Sequence, residues 1–331
     1  MSSGKLGLVV NPMSGRDVRR LAARASNMTH EAKRDIVARV AAGADAQGIT
    51  DIYITKEPFQ IASMALSHMG LKANVHVVEH PLTNSAADTV LTVEAFCAAG
   101  CETFVSLGGD GTNRAIVNAA PDIDLIPLST GTNNVFPVLI EPTVAGIVAG
   151  LNATGKLTEP SLKARVKVLH IAGEGVDDVG LIDAVLLRDD HVGNLLPFDA
   201  EKIESLVLTR AEPDAIGMSP IGGYIKPVYA QDDHGLVVEV SQAGDGSQLV
   251  TAPLSPGLFR QLNVRRCESL SFDQTVVFSG PGVLALDGDR EIKIAPEQSL
   301  DVCIRRDGPY VIDVLAAMRW AVSQGIMAAA I

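Results

Sequence analysis

Gly108-Gly109-Asp110-Gly111-Thr112 follows an apolar run at residues 103–107 and sets a carboxylate inside a turn suited to anions. Glycine permits positive φ and lets a ligand approach the backbone. N–H groups at the start of a following helix favour negative charge. An ordinary turn accepts Asp, but it does not require two glycines before it and Gly-Thr after it. Gly108, Gly109, Gly111 and Thr112 are therefore candidate phosphate contacts, and Asp110 is a candidate proton acceptor. A second cluster, Asn11-Pro12-Met13-Ser14-Gly15-Arg16, follows the apolar residues 6–10. Asn11 and Ser14 can hydrogen-bond, Gly15 permits close approach, and Arg16 can pair with phosphate. A third polar loop, Ser129 to Asn134, follows residues 125–128 and offers Thr132, Asn133 and Asn134.

Further along, Asp287-Gly288-Asp289-Arg290-Glu291 gathers three carboxylates in five residues. Asp-Gly is common in hairpin turns. Facing a nucleotide, Asp287 and Asp289 could instead hold Mg²⁺ or deprotonate a hydroxyl. The Asp-Asp-His triplets at 189–191 and 232–234 have no further ligand at a defined spacing and read as solvated turns. No G-x-x-x-x-G-K-[ST] occurs, which excludes the usual P-loop. No G-x-G-x-x-G occurs either, which weakens a dehydrogenase reading.

The elements that must position these turns alternate in the first half. Strands are expected at 6–10, 51–55, 75–79, 102–107 and 125–128. Helices are expected from about Thr29, with Ile36, Val40 and Ala44 on one face, and at 60–68, 85–99 and 113–119. This is a doubly wound, Rossmann-like α/β pattern, in which ligands bind at the carboxyl ends of the strands. After about residue 160 the period shortens to strands at 166–171, 180–187, 236–240, 248–252, 275–278, 283–286, 292–294 and 300–304. They predict an antiparallel β domain, sandwich or barrel-like, and the sandwich is the reading adopted. A helix at 199–211 is expected to interrupt it. The division is 1–150 for a nucleotide-binding α/β domain and 151–309 for a β domain serving the acceptor. A C-terminal helix, 310–331, is expected to pack back on the first domain.

The chain has 331 residues, long enough for two domains. Hydrophobic residues make up 47%, which suits large cores and argues against disorder. The formal charge is −12 with no Lys/Arg block, so nucleic acid and anionic membranes are poor partners. The four cysteines form no C-x-x-C pair and read as free buried thiols of a reducing cytosol. Neither a signal h-region nor a membrane span is visible, which predicts a cytoplasmic chain without stable membrane insertion. A homo-oligomer is left open.

In this order, the turns resemble the superfamily that unites NAD kinases, diacylglycerol kinases and sphingosine kinases. The Gly108–Thr112 motif is the most specific part. Asn11-Pro12-x-Ser14-Gly15 looks like the first nucleotide loop of that superfamily, and Gly131-Thr132-x-Asn134 looks like a later one. Thr55 resembles a nucleotide-side threonine of the lipid kinases. Asp287-Gly288-Asp289 is similar to their Asp-Gly-Glu, whose third residue is a proposed base, and Asp110 matches the proposed base of NAD kinases. The wording is most similar to the ATP-NAD-kinase-like X proteins encoded with acetoin-catabolism genes, through Ser14-Gly15-Arg16-Asp17, Gly111-Thr112-Asn113-Arg114 and residues 286–291. The resemblance implies ATP and Mg²⁺ as cofactors and transfer of a phosphoryl group to a hydroxyl. NAD or a related dinucleotide comes first as acceptor, a small hydroxylated metabolite second and a lipid third. A nucleotide-binding regulator without turnover is the non-enzymatic alternative. The chain departs from the lipid kinases at Asn113-Arg114-Ala115, where their glutamate is missing, and at Val135, where they have Asp. Only residues 217–224 resemble the substrate segment of NAD kinases.

Overall fold

Continuous apolar runs suit strands buried on both faces, and a parallel sheet between helices supplies both covers. The computed structural model describes residues 4–15, 28–131, 134–173, 175–190, 192, 199–241, 248–288 and 290–328. In it, β1 (Lys5–Val10), β2 (Asp51–Thr55), β3 (Asn74–Val78), β4 (Thr103–Gly108) and β5 (Asp124–Ser129) pair in parallel. With β6 (Lys163–Arg165) and β18 (Tyr310–Ile312) the sheet runs β3-β2-β1-β4-β5-β18-β6. The order reverses between β1 and β4. The loops leaving those two strands therefore open side by side at the carboxyl edge, the ligand edge of an open α/β sheet.

One face of this sheet is covered by α1 (His30–Asp45), α2 (Ile61–Leu66), α5 (Pro142–Ala153) and α7 (Val314–Ser323). The other is covered by α3 (Ala86–Ala98) and α4 (Asp110–Ala119). Helices α1 and α5 meet backbone to backbone through glycines. A Cβ on Gly43 would lie 2.3 Å from the Thr143 carbonyl oxygen, and one on Gly146 would lie 2.1 Å from that of Val40.

The second half folds as two antiparallel sheets. The smaller contains β7 (Val168–Gly173), β8 (Val176–Gly180), β14 (Val276–Ser279) and β17 (Ser299–Arg305), in the order β14-β17-β7-β8. The larger contains β9 (Asp183–Leu187), β10 (Ile203–Leu208), β11 (His234–Ser241), β12 (Gln248–Ser255), β13 (Leu258–Ser271), β15 (Gly282–Leu286) and β16 (Arg290–Ile294). Ile171, Leu186, Leu284, Leu300, Val302 and Ile304 fill the space between the sheets, so the domain is a sandwich and not a barrel. The short helix α6 (Ser219–Gly223) covers the outer face of the larger sheet, with Ile221 in a core that includes Leu208 and Leu236. No helix among the described residues is long and apolar enough to cross a membrane.

Four expectations are corrected. Residues 199–211 are not a helix: a single turn at 200–202 leads into β10, which pairs with β9 and β11 on both sides. Burial between two strands outweighs the helical look of so short a run. The returning segment 310–331 begins as a strand, because Tyr310 and Val311 pair in parallel with Asp124 and Leu125 of β5. Its helix spans only Val314–Ser323, capped by the Asp313 carboxylate. Helix α4 starts at Asp110 and not at Asn113, so Asp110-Gly111-Thr112 is itself the first helical turn, with Gly109 as its extended N-cap. Cys97 is exposed, whereas Cys101 is buried, and all four thiols are free.

Substituting Gly146→Ala should destabilise the fold by about 2 kcal/mol or more, despite the better helix propensity of Ala, because the backbone of α1 cannot yield without moving the helix. Urea unfolding measures this. An Ala variant as stable as wild type would show that the α1–α5 approach is looser than the glycine contacts imply.

Candidate functional site

Loops after β1, β4 and β5 meet at the switch point and are hydrogen-bonded to one another. The Asn11 amide nitrogen donates to Thr112 Oγ1 at 2.8 Å, while its oxygen accepts from the N–H groups of Met13 (2.8 Å) and Ser14 (3.2 Å). The hydroxyls of Ser14 and Thr130 are 2.7 Å apart. Lys33 of α1, fully buried, donates to the carbonyls of Asn11 (2.8 Å), Pro12 (2.8 Å) and Ser14 (2.7 Å). Sequence reading missed Lys33, although it lies on the apolar stripe of α1 with Val37, Val40 and Ala44.

The glycines of the motif are required for a different reason from the one expected. Gly15 has φ +70°, but Gly108, Gly109 and Gly131 are not in the left-handed region. They are places of close approach. A Cβ on Gly108 would meet the Thr112 side chain at 2.4 Å, and Cβ atoms on Gly109 and Gly131 would meet Asn134 Oδ1 at 2.9 and 2.5 Å. Asn134 lies across both glycines and donates to Ser129 Oγ at 2.7 Å.

Beside the cross-linked loops is a cavity of about 530 Å³, and Asn11, Thr55, Gly111 and Thr112 all line it. Its rim carries Met13, Phe59 and Leu82, three large apolar side chains that face water. Exposed apolar groups gathered around a cleft are a ligand-binding feature. The first turn of α4 borders the same space through Gly111 and Thr112, where a helix start attracts anions.

Asp110 is buried and is not on the cavity wall. Its carboxylate accepts from the N–H groups of Phe136 (2.9 Å) and Val135 (3.1 Å). Burial pushes the carboxyl up to about 7, the charge of Asp287 adds to the rise, and the two N–H groups and the Arg210 guanidinium oppose it. Arg210, which sequence reading also missed, donates to the Val135 carbonyl at 3.1 Å, and its guanidinium carbon lies 5.2 Å from the Phe136 ring centre.

Asp287 behaves differently. Its side chain has no exposed surface, and its two oxygens accept from the N–H groups of Leu181 (2.8 Å), Ile182 (2.7 Å) and Asp183 (3.2 Å). Arg114 Nε is 3.8 Å away, and the same guanidinium donates to Asp178 at 3.3 Å. A carboxylate already served by three N–H groups and an arginine does not fit the role of a Mg²⁺ ligand. Among the described residues, no group of three or more His, Cys, Asp or Glu could hold a metal ion. Arg16, Thr132, Asn133 and Asp289 lie outside the described residues.

Residues 6–156 match the family model of the ATP-NAD kinase N-terminal domain, and residues 166–307 match that of the acetoin catabolism protein X C-terminal domain. The chain is 32% identical over 330 residues to acetoin catabolism protein X of Cupriavidus necator, covering 96% of this chain and 92% of that one. Among solved structures it is similar to a protein described as a diacylglycerol kinase from Bacillus anthracis str. Sterne, at 12% identity and TM-score 0.48, covering 94% of this chain and 98% of that one. A second diacylglycerol kinase structure from the same organism gives 13% identity and TM-score 0.42, with 93% and 96% covered.

A carboxyl raised from 3.8 to about 7 ties stability to pH. Between these values the unfolded chain releases a proton that the folded chain keeps, so this group's contribution is complete below about pH 4 and is lost as pH rises through 7. The stability of Asp110→Asn relative to wild type should therefore increase from pH 4 to 7, by on the order of 3–5 kcal/mol, and level off above. Chemical denaturation of both proteins across this range is the measurement. A difference independent of pH would mean that Asp110 is not held in a raised state.

Proposed function

The chain belongs to the family of acetoin catabolism protein X, and on that premise we propose that it is an ATP-dependent phosphotransferase acting on a hydroxyl of NAD or of a related small metabolite. The nucleotide belongs to the α/β unit, which is carried past the expected boundary at 150 to residue 165 by the end of α5 and by β6, and the acceptor belongs to the β unit that follows. The observation that carries this reading is the cavity in which Asn11, Thr55, Gly111 and Thr112 face one space at the sheet's switch point. They come from the loop after β1, the end of β2 and the first turn of α4; Asn11, Gly111 and Thr112 were singled out by residue type, and Thr55 by resemblance.

Phosphoryl transfer depends on positioning and on neutralising charge more than on covalent chemistry. The first turn of α4 offers N–H groups to phosphate, and the Thr112 hydroxyl is aligned by Asn11. The apolar rim of Met13, Phe59 and Leu82 suits the flat face of a base. Asp110, buried behind the wall formed by Gly111 and Thr112, is the proposed acceptor of the hydroxyl proton, and it acts only where acceptor binding opens its carboxylate to the cleft. A carboxyl near 7 is balanced between its two forms at neutral pH, which suits a general base. Asp289 is proposed to serve the acceptor side of the cleft. Asp287, its oxygens already taken by the N–H groups of residues 181–183, is left with a structural task in the β15–β16 connection. Magnesium would travel on the nucleotide's own phosphates and would supply charge neutralisation there.

Calorimetric titration with a non-hydrolysable ATP analogue should show binding that weakens about tenfold or more in Asn11→Ala and Thr112→Val, where a positioned hydrogen bond to the loop is lost. An ATP-consumption screen with NAD, thiamine compounds, polyols and lipids should find turnover on a soluble acceptor. In Asp110→Asn that turnover should fall by roughly 10²–10⁴ while the analogue still binds. Near-wild-type turnover in Asp110→Asn would remove the base assignment. Tight nucleotide binding with no turnover on any acceptor would favour a regulator instead.

A further inference from the structure

We propose that Arg210 is a positioning residue for Asp110: its guanidinium fixes the Val135–Phe136 segment, whose N–H groups hold the Asp110 carboxylate. The inference rests on the reading of Asp110 as the base, and it adds a residue that no sequence motif marks. The contacts form an unbroken series. Arg210 donates to the Val135 carbonyl at 3.1 Å and lies over the Phe136 ring at 5.2 Å. The same two residues donate their N–H groups to Asp110 at 3.1 and 2.9 Å. One planar side chain thus grips a peptide by its carbonyl and by its neighbouring ring, a combination that guanidinium provides and ammonium does not.

The backbone that carries Arg210 is itself held. Ser219 Oγ donates to the Arg210 carbonyl at 3.0 Å and accepts from the Glu212 N–H at 2.7 Å. Ala211 exchanges hydrogen bonds with Val228 at 2.8 and 3.0 Å. A Cβ on Gly223 would meet the Ala211 carbonyl oxygen at 2.8 Å, so α6 sits directly against this segment. Residues 217–224, which resemble a substrate segment in sequence, therefore serve here to anchor the strand end that presents Arg210. The β domain in this way sets the geometry of a carboxylate in the α/β domain.

The charged groups around this pair are defined. Asp287 faces Asp110 from the β15–β16 turn, with Arg114 of α4 beside it, and Arg210 faces Asp110 from the end of β10. Glu212, on the same segment, supports the charge of Arg210, Arg306 opposes it, and Lys167 is near enough to be influenced by both arginines.

The test uses the full chain as wild type, Arg210→Met and Arg210→Lys. Met keeps the length and dryness of the side chain but removes charge, donor and planar grip. Amide hydrogen exchange at Val135 and Phe136 should accelerate at least about tenfold in the Met variant. The ¹³C carboxyl titration of Asp110, identified by its loss in Asp110→Asn, should move to higher pH by about one unit, because a positive charge and two N–H bonds that favour the ionised form are weakened together. Where turnover is measurable, kcat should fall with ATP affinity preserved. Arg210→Lys should restore most of the titration midpoint but not the protection of the Phe136 amide, since ammonium keeps the charge without the stacking face. Unchanged exchange together with an unchanged or lowered Asp110 midpoint in a folded variant overturns the proposal. Should the Met variant fail to fold, the Lys variant decides it through the Phe136 amide, where exchange as slow as wild type is the overturning result. If Asp110→Asn retains turnover, the base reading fails, while the exchange and titration results still decide the role of Arg210.

Discussion

Lys33 has no exposed surface, and the loop after β1 is built around its amino group. A buried ammonium is tolerated only when its donors are satisfied. Its three protons match three carbonyls, those of Asn11, Pro12 and Ser14, and this match turns the carbonyls of the loop inward. With the backbone so fixed, the Asn11 side chain is free to reach Thr112 and the Ser14 hydroxyl to reach Thr130. The common wall made by the loops after β1, β4 and β5 follows from one lysine that cannot find water.

Much of this was legible because the strands of a parallel sheet are continuous apolar runs and their loops are marked by Gly, Asn, Ser and Thr. The doubly wound order, the ligand edge and the principal loops follow from that pattern. Lys33 left a fainter trace: a lysine on the apolar stripe of a helix must find buried acceptors, but the sequence does not say which. Arg210 left none, since a single arginine after a strand is ordinary, and its role depends on where Val135 and Phe136 arrive from another domain. Helix α5 was overlooked because it is apolar on nearly all sides, so it has no amphipathic period to read. β13 was overlooked for the opposite reason: it is exposed along most of its 14 residues, and its alternation is weak. The error at β10 has another source: it is a short run whose identity is set by the partners on either side.

Two buried aspartates near one another show how identical side chains are given different properties by their donors. Asp287 is served by three N–H groups of one segment, residues 181–183, and has an arginine beside it, so its negative charge is part of the fold. Asp110 has the N–H groups of only two residues, is raised by burial, and feels the charge of Asp287 as well. The firmly satisfied carboxylate thus helps to keep the other poorly ionised. Environments that drive two carboxyls apart in this way are the arrangement from which acid–base roles are made.

The two domains are joined by a reciprocal exchange of arginines. Arg114 leaves the α/β domain to meet Asp178 and Asp287 of the β domain, and Arg210 leaves the β domain to meet the backbone of Val135 and the ring of Phe136. Arg290 adds a second cation to Asp178 at 2.8 Å. Truncating Arg114 while both domains remain would leave the Asp287 carboxylate buried without its arginine, and a buried charge that loses its partner is strongly destabilising. The same contacts run past the first turn of α4, since Asp110 and Arg114 are four residues apart on that helix. Whatever binds at the start of α4 therefore acts on a helix whose next turn is held by the β domain. A ligand that shifts this helix must either carry the β domain with it or strain the Arg114 contacts, so the two domains are mechanically coupled through α4.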